Sequence, residues 1–225
     1  MHIGHLLGSG RTADVYALDE SWVLRRYRDG ADATAELAVM SYLSASGFPV
    51  PRIGPPSDPA LPTDLVLQRL TGPTMAEALL AGTLTEAEGG ELLARLLRDL
   101  HAIPPRLSQD PEDRILHLDL HPENVMLTPQ GAVVIDWSTA CEGPPALDRA
   151  MSSLILAQVS LDPSFAGERV RVLLTTMLAR LADDGGVPSG ALARATARRA
   201  ADPRLTARES AVLDEAAELV SALAG

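Results

Sequence analysis

Three polar residues near the middle of the chain have the types and the spacing that phosphoryl transfer requires. Asp119 and Asn124 precede the apolar run 125–127, and Asp136 follows the apolar run 132–135. The Pro-Gln-Gly turn between the runs predicts a β-hairpin, which brings Asn124 and Asp136 to one end with Asp119 beside them. One carboxylate can orient or take the proton of an acceptor hydroxyl, while an amide and a second carboxylate can hold Mg²⁺ on the phosphates. The alternative is a polar turn whose side chains only cap the hairpin and satisfy its buried hydrogen-bonding groups.

A glycine-containing turn near the N-terminus supplies a second element of such a site. Residues 3–28 read as three strands, and Gly8, Ser9 and Gly10 lie between the first two. Glycine has no Cβ, so its backbone N–H can approach a phosphate closely. A Gly-x-Gly turn between strands is common, and it is the position ahead of Asp119 that favours nucleotide binding here.

The order of these segments resembles the aminoglycoside phosphotransferases, a small-molecule branch of the protein-kinase-like fold that is related to choline and homoserine kinases. The resemblance rests mainly on Asp119-x4-Asn124 and on Ile135-Asp136-Trp137, and it covers nearly the whole chain. It implies ATP as the phosphoryl donor, Asp119 as the catalytic base, and Asn124 and Asp136 as ligands of Mg²⁺.

The family also places a basic side chain, most often lysine, on the third strand, where it reaches the α- and β-phosphates and pairs with a glutamate of the next helix. The nineteen lysine and arginine positions of this chain are all arginine, and Arg25 is the candidate. Period-2 geometry puts Arg26 on the opposite face of the strand. Glu36 shares a helix face with Met40 and Leu43, which favours pairing with Arg25. The alternatives are a solvated edge-strand arginine and a glutamate that complements the helix dipole.

The resemblance implies further roles outside these motifs. The backbone of Gln68 and Leu70 is expected to meet the adenine edge at a hinge between two lobes. His117 is expected to hold the catalytic loop by bonding to its backbone. His121 stands where protein kinases place a lysine, and contact with the transferred phosphoryl group and simple packing are equally open for it. Asp148 is expected to anchor its segment to the catalytic loop, with substrate contact as the alternative.

The element pattern predicts an α+β chain, and the resemblance implies a two-lobed protein-kinase-like fold. Residues 1–70 are expected to form the N-terminal nucleotide-binding lobe, an antiparallel sheet with one helix over residues 31–46. Residues 71–225 are expected to form a mainly helical C-terminal lobe for catalysis and acceptor binding. Capping boxes of the form Thr-x-x-Glu predict helix starts after Thr74 and Thr85.

The amino-acid composition limits the partners and the cellular location that can be expected. A net charge of −11 argues against nucleic acid, since phosphate binding needs a basic face, and it is compatible with a cationic acceptor. No apolar window is long enough to span a membrane. The N-terminal residues 1–5 lack the pattern of a signal peptide. The single cysteine, Cys141, fits a reducing cytoplasm. A monomer or a dimer is expected.

These features lead to three functional hypotheses. The first is ATP-dependent transfer of the γ-phosphoryl group to a hydroxyl of a small-molecule antibiotic, as in aminoglycoside resistance enzymes. The second is a metabolic kinase for a small alcohol of the choline, homoserine or sugar type. The third is a nucleotide-binding pseudokinase, motivated by the absence of lysine. A protein substrate is disfavoured because the segment after Asp136 is too short for a kinase activation segment, and no Ala-Pro-Glu follows it.

Overall fold

A computed structural model describes residues 3–57, 59–164 and 166–225, so Met1 and His2 of the stretch considered for a signal peptide lie outside it. The chain divides into two compact units. The first comprises Met1–Gly72 and Met126–Ser138, and the second comprises Pro73–Val125 and Thr139–Gly225. Residues 126–138, which follow the Asp119 loop, belong to the first unit by their contacts. The division into lobes after residue 70 stays a prediction.

The described residues form eight strands and eight α-helices. In chain order the strands are β1 (Leu6–Ser9), β2 (Ala13–Ala17), β3 (Trp22–Tyr27), β4 (Asp64–Gln68), β5 (Arg114–Leu116), β6 (Val125–Thr128), β7 (Gly131–Val134) and β8 (Cys141–Gly143). The helices are α1 (Thr34–Ala45), α2 (Met75–Leu80), α3 (Glu86–His101), α4 (Pro145–Leu161), α5 (Gly167–Leu181), α6 (Ser189–Ala200), α7 (Ala207–Ala211) and α8 (Leu213–Ala224). Short 3-10 helices cover Pro122–Asn124 and Ala182–Asp184.

The first unit is an antiparallel sheet in the order β1-β2-β3-β4, with one helix. Arg25 lies in the middle of the inner strand β3, opposite Val15 of β2 and Leu65 of β4. Helix α1 buries Glu36 together with Val39, Met40 and Leu43, the face predicted from the sequence. A glutamate therefore points into an apolar layer, where it requires a charged or hydrogen-bonding partner.

The second unit is built around α4, which is buried along nearly its whole length. It packs against α5, α6 and α8, while α3 packs on α5. The α3–α5 approach depends on Gly90, since a Cβ there would lie 2.5 Å from the carbonyl oxygen of Leu173. Both predicted capping boxes are formed, at Thr74 before α2 and at Thr85 before α3.

Two further two-stranded sheets occur in the described residues, one in the second unit and one in the hairpin of the first unit. Strands β5 and β8 pair antiparallel, and β6 pairs with β7 around the predicted turn. None of the helices in the described ranges combines the length and the apolar character needed to cross a bilayer.

Candidate active site

The loop that carries Asp119 is fixed from behind by Asp148. The carboxylate of Asp148 accepts the backbone N–H of His117 at 2.9 Å and that of Leu118 at 2.7 Å. Nε2 of His101 lies 3.0 Å from the same carboxylate. Burial alone would raise the pKa of Asp148, but the contacts with His101 and the His117 N–H outweigh it and lower the pKa. The side chain is 0% exposed, which favours the anchoring role over substrate contact.

Leu118 adopts a left-handed backbone conformation directly before Asp119, with φ of 62°. A side chain disfavours this region by roughly 1 kcal/mol. Burial of the Leu118 side chain and its N–H bond to Asp148 hold the conformation in place. The turn thereby fixes the direction in which Asp119 leaves the backbone.

Asp119 is held in its ionised form by its neighbours in the second unit. Its backbone N–H donates to Nδ1 of His117 at 3.2 Å, as predicted, and Nε2 of His121 lies 3.6 Å from its carboxylate. Burial opposes ionisation, but His121, His117 and Arg199 outweigh it and lower the pKa of Asp119. A carboxylate with a lowered pKa orients a hydroxyl by accepting its hydrogen bond and takes the proton late in the reaction.

Asn124 contacts the Asp119 loop through the nitrogen of its side-chain amide. Its Nδ2 donates to the carbonyl of Asp119 at 2.8 Å and to the carboxylate of Asp119 at 3.3 Å. Nδ2 also lies 3.3 Å from Nε2 of His121, a contact that decides neither of the two roles considered for that histidine. Within the described residues Oδ1 makes no hydrogen bond, so it is available as a ligand for a hard cation.

Arg25 is the centre of a buried polar network in the first unit. Its guanidinium donates to Glu36, to the hydroxyl of Tyr27 at 3.1 Å and to Oδ1 of Asp136 at 2.7 Å. Burial would lower the pKa of Arg25, but the charges of Glu36 and Asp136 outweigh it and raise the pKa. The predicted pair with Glu36 is therefore present, and Arg25 is buried, unlike a solvated edge-strand arginine.

Glu36 depends on this network for its charge. It accepts the Tyr27 hydroxyl at 2.5 Å and the backbone N–H of Trp137 at 3.0 Å. Burial raises the pKa of Glu36 more than the charge of Arg25 lowers it. Burial together with the negative charge of Glu36 raises the pKa of Tyr27 to about 12, so the phenol stays a donor. The contacts of Tyr27 and Trp137 carried no signal in the sequence.

Asp136 leaves one carboxylate oxygen open. Oδ1 accepts from Arg25 and from the Ser138 hydroxyl, both at 2.7 Å, whereas Oδ2 has no hydrogen bond in the part of the chain that the structure describes. The side chain is 35% exposed, and its φ of 59° is left-handed. Asn124 and Asp136 thus each offer one unused oxygen, the donor type that Mg²⁺ prefers. The described residues contain no cluster of three or more His, Cys, Asp and Glu side chains that would suit another metal.

The glycine-containing turn between β1 and β2 is exposed and is tied to Arg28. Arg28 donates to the Gly10 carbonyl and, at 2.9 Å, to the hydroxyl of Ser9, which itself donates to Asp14 at 2.6 Å. A Cβ on Gly8 would meet nothing within 4 Å, so the fold itself does not require glycine there. Sequence reasoning missed Arg28, whose side chain makes these contacts with the turn.

Gln68 and Leu70 lie at the end of β4 and just beyond it. The N–H of Gln68 is engaged with the Arg52 carbonyl at 2.8 Å. The N–H of Leu70 has no hydrogen-bond partner among the described residues, which leaves it free for a ligand.

Of the residues singled out in the sequence, the structure brings together Arg25, Glu36 and Asp136 in the first unit.

Comparisons with known proteins agree with this architecture. The sequence pattern of a family described as "Phosphotransferase enzyme family" (APH) matches residues 4–114 and 76–183, well over half of the chain. The streptomycin–ATP–APH(2'')-IIa ternary complex shares the fold with a TM-score of 0.57 and 16% identity, over 88% of this chain and 84% of that chain. No curated protein matches the sequence significantly.

Two further solved structures share the fold. A choline/ethanolamine kinase family protein from Mesorhizobium loti has a TM-score of 0.55 and 15% identity, over 98% of this chain and 88% of that chain. The amicoumacin kinase hAmiN, in complex with AMP-PNP, Ca²⁺ and Ami, has a TM-score of 0.53 and 16% identity, over 97% and 87%. The kinase-like α+β fold predicted from the sequence is confirmed. The chain belongs to the APH phosphotransferase family.

Proposed function

We propose that this protein transfers the γ-phosphoryl group of ATP, with Mg²⁺, to a hydroxyl group of a small molecule. The observation that carries the proposal is the Asp119 loop, where an ionised carboxylate lies against an asparagine whose amide oxygen is unused. Phosphoryl transfer proceeds through a loose transition state, so catalysis depends on positioning and charge neutralisation more than on covalent chemistry. A rigid carboxylate and hard oxygen ligands supply what such a reaction needs.

Asp119 would accept the hydrogen bond of the acceptor hydroxyl and take its proton as the phosphoryl group leaves ATP. The bond from the Asp119 N–H to His117 and the anchoring by Asp148 fix the loop before substrate arrives. Oδ1 of Asn124 and Oδ2 of Asp136 would hold Mg²⁺, which when bound neutralises charge on the phosphates.

Arg25 retains the capacity to contact phosphate, which weighs against the pseudokinase hypothesis. A guanidinium has five N–H groups, and the contacts with Glu36, Tyr27 and Asp136 use three of them. Two N–H groups remain for an anionic ligand, and the ion pair with Glu36 orients them. The turn at residues 8–10 and the N–H of Leu70 would complete the contacts with phosphate and adenine. The Gly10 N–H already donates to the Ala13 carbonyl at 2.9 Å, which leaves the N–H groups of Gly8 and Ser9 as the candidates.

The acceptor hydroxyl is proposed to belong to one of two classes of small molecule. A cationic antibiotic of the aminoglycoside type remains the first hypothesis, supported by the family and by the net charge of −11. A small metabolic alcohol is the second, because solved structures of similar fold include a choline/ethanolamine kinase family protein. Arg199, whose charge acts on Asp119, is paired with Glu209 at 3.2 Å and so selects neither class. With one half-buried cysteine, Cys141, the chain suits the cytoplasm.

The test is Mg²⁺-dependent consumption of ATP against a panel of cationic antibiotics, other antibiotics and small metabolic alcohols. The Asp119→Asn variant is the control, and we expect it to bind ATP as the wild type does while turnover falls about a hundredfold or more. Turnover with one acceptor class, lost in the variant, would identify the substrate class. Equal turnover in the variant would contradict the role of Asp119, and ATP binding without turnover on a broad panel would favour a pseudokinase.

A further inference from the structure

A cavity of about 530 Å³ lies wholly within the second unit. Its lining includes three arginines and a histidine, and Asp119, Asn124 and His121 take no part in it. The ionisable residues of its lining are Arg98, His101, Glu112, Arg114, Arg149 and Asp184, three arginines against two carboxylates. A volume of this size accommodates a small metabolite.

Arg149 carries a buried charge that no carboxylate neutralises. It is 8% exposed, and its Nε donates to the Gly186 carbonyl at 2.8 Å. No described acidic side chain lies within ion-pair distance of it, and none accepts its remaining N–H groups. Burial lowers the pKa of Arg149 more than the more distant charges of Asp184 and Asp148 raise it. The terminal nitrogens of Arg149 are not among the fully buried atoms without a partner, so their N–H groups can be reached by an anion that enters the cavity.

The other buried arginines of the described chain show how unusual this is. Arg25 contacts Glu36 and Asp136, and Arg199 contacts Glu209 at 3.2 Å. Each of these guanidinium groups has a carboxylate of the protein itself as partner. Arg149 is the one described buried arginine without a carboxylate within ion-pair distance, and it lines the cavity.

The remaining wall of the cavity is also suited to an anion. Helix α4 begins there with Pro145 and Ala146, and Pro144 provides no side-chain cap for its first N–H groups. The N-terminus of this 17-residue helix carries partial positive charge. Its available donor is the Ala146 N–H, since Pro145 has none and the Leu147 N–H donates to the Pro144 carbonyl at 2.9 Å. Arg114 donates only to backbone carbonyls, those of His101, Pro111 and Asp113. Arg98 is paired with Asp184 at 3.0 Å.

We propose that this cavity binds a phosphate-bearing small anion, held by the guanidinium of Arg149 and the N-terminus of α4. A tetrahedral dianion can accept two N–H groups of Arg149 and a helix N–H at the same time, which a single carboxylate oxygen pair does less completely. His101 lines the same cavity and contacts Asp148, which anchors the catalytic loop. The occupant is therefore placed to act on that loop. The binding step itself does not rest on the proposed function.

The proposal is tested on the full chain by calorimetric titration with inorganic phosphate and, separately, with glycerol 3-phosphate. Arg149→Met removes the charge, and Ala146→Asp places a carboxylate in the anion position while favouring the helix start. Arg95→Met removes an exposed arginine of α3 outside the cavity as the matched control. We expect affinity to fall about tenfold or more in the first two variants and to stay unchanged in the control.

Amide hydrogen exchange locates the anion independently of any activity. Slower exchange at residues 144–149 on addition of phosphate would support the proposal. Protection confined to residues 8–10 would assign the anion to the nucleotide site and overturn the proposal. The absence of binding, or wild-type affinity in Arg149→Met and Ala146→Asp, would overturn it as well. Tighter binding of glycerol 3-phosphate than of phosphate would identify an organic phosphate as the occupant, and equal binding would identify free phosphate.

Discussion

Replacing Arg25 by methionine tests the buried network of the first unit, because the change removes the cation and keeps most of the side-chain volume. Glu36, which is 5% exposed, would then be a buried carboxylate without its charged partner. Such an uncompensated charge costs about 3–5 kcal/mol. The Tyr27 hydroxyl and the Trp137 N–H still contact Glu36, and the part-exposed Asp136 can be solvated. We therefore expect destabilisation near the lower end of the range, about 3 kcal/mol.

A second substitution separates the buried charge from the lost packing. In Arg25→Met combined with Glu36→Gln both charges are absent, and we expect the total destabilisation to fall to about 1–2 kcal/mol, the contribution of lost hydrogen bonds. Urea unfolding of the two single variants and the double variant closes a double-mutant cycle. Arg180→Met is the control, since Arg180 pairs with Glu91 on the surface, and its effect should stay within about 0.5 kcal/mol.

The pH dependence gives a further signature of the same charge. The folded-state pKa of Glu36 is already raised above its ordinary value of 4.5, and loss of Arg25 raises it further. A carboxyl with a raised folded pKa costs stability as the pH rises from its unfolded to its folded pKa. The stability gap between wild type and Arg25→Met should therefore narrow as the pH falls from about 7.5 to about 5. A constant gap, together with a double variant as unstable as Arg25→Met, would refute this account.

Three further predictions concern the proposed site. Asp136→Ala removes a proposed Mg²⁺ ligand and should abolish Mg²⁺-dependent ATP binding in calorimetry; retained Mg²⁺ dependence would count against that role. Asp148→Asn has one acceptor oxygen for the two N–H groups of His117 and Leu118, so we expect a loss of about 2–3 kcal/mol in urea unfolding and a lower kcat with little change in KM for ATP. An unchanged kcat would exclude its positioning role. Arg25→Lys keeps the charge but not the fork that reaches Glu36, Tyr27 and Asp136 together, so KM for ATP should rise; an unaltered or lower KM would show that the fork is not needed.

Local signals in the sequence were sufficient for most of the first unit. The pattern of residues 3–28 predicted three strands, with alternation in the third, and the shared face of Glu36, Met40 and Leu43 predicted the inward glutamate of α1. Because each of these patterns has a short period, neighbouring residues report it directly. The same holds for the Thr-x-x-Glu boxes that begin α2 and α3.

Sequence reasoning did not delimit the helices and strands that lack a regular pattern of buried and exposed residues. Helix α4 is buried on all sides and includes Asp148, Arg149, Ser152, Ser153 and Gln158 among its buried residues, so it has no polar face to mark its period. Strands β5 and β8 have three residues each, too few for an alternation to show. Their pairing is a tertiary event between distant segments.

Contacts between distant segments explain what was missed at the site. Arg25 and Asp136 are 111 positions apart, and no local rule links them. The pairing of Arg25 with Glu36 was predictable only because a family resemblance supplied the partner. The unneutralised charge of Arg149 depends on which carboxylates fail to reach it, and that absence leaves no mark on the sequence.

Both units position a functional residue with the same physical device. Leu118 and Asp136 are the described non-glycine residues with positive φ, and each lies at or directly before a proposed functional side chain. In the second unit the buried carboxylate of Asp148 accepts the N–H of Leu118, and in the first unit the buried carboxylate of Glu36 accepts the N–H of Trp137, next to Asp136. A strained backbone persists only where surrounding contacts over-determine it. The two buried acids are therefore as necessary to the geometry of Asp119 and Asp136 as the motifs that contain those residues.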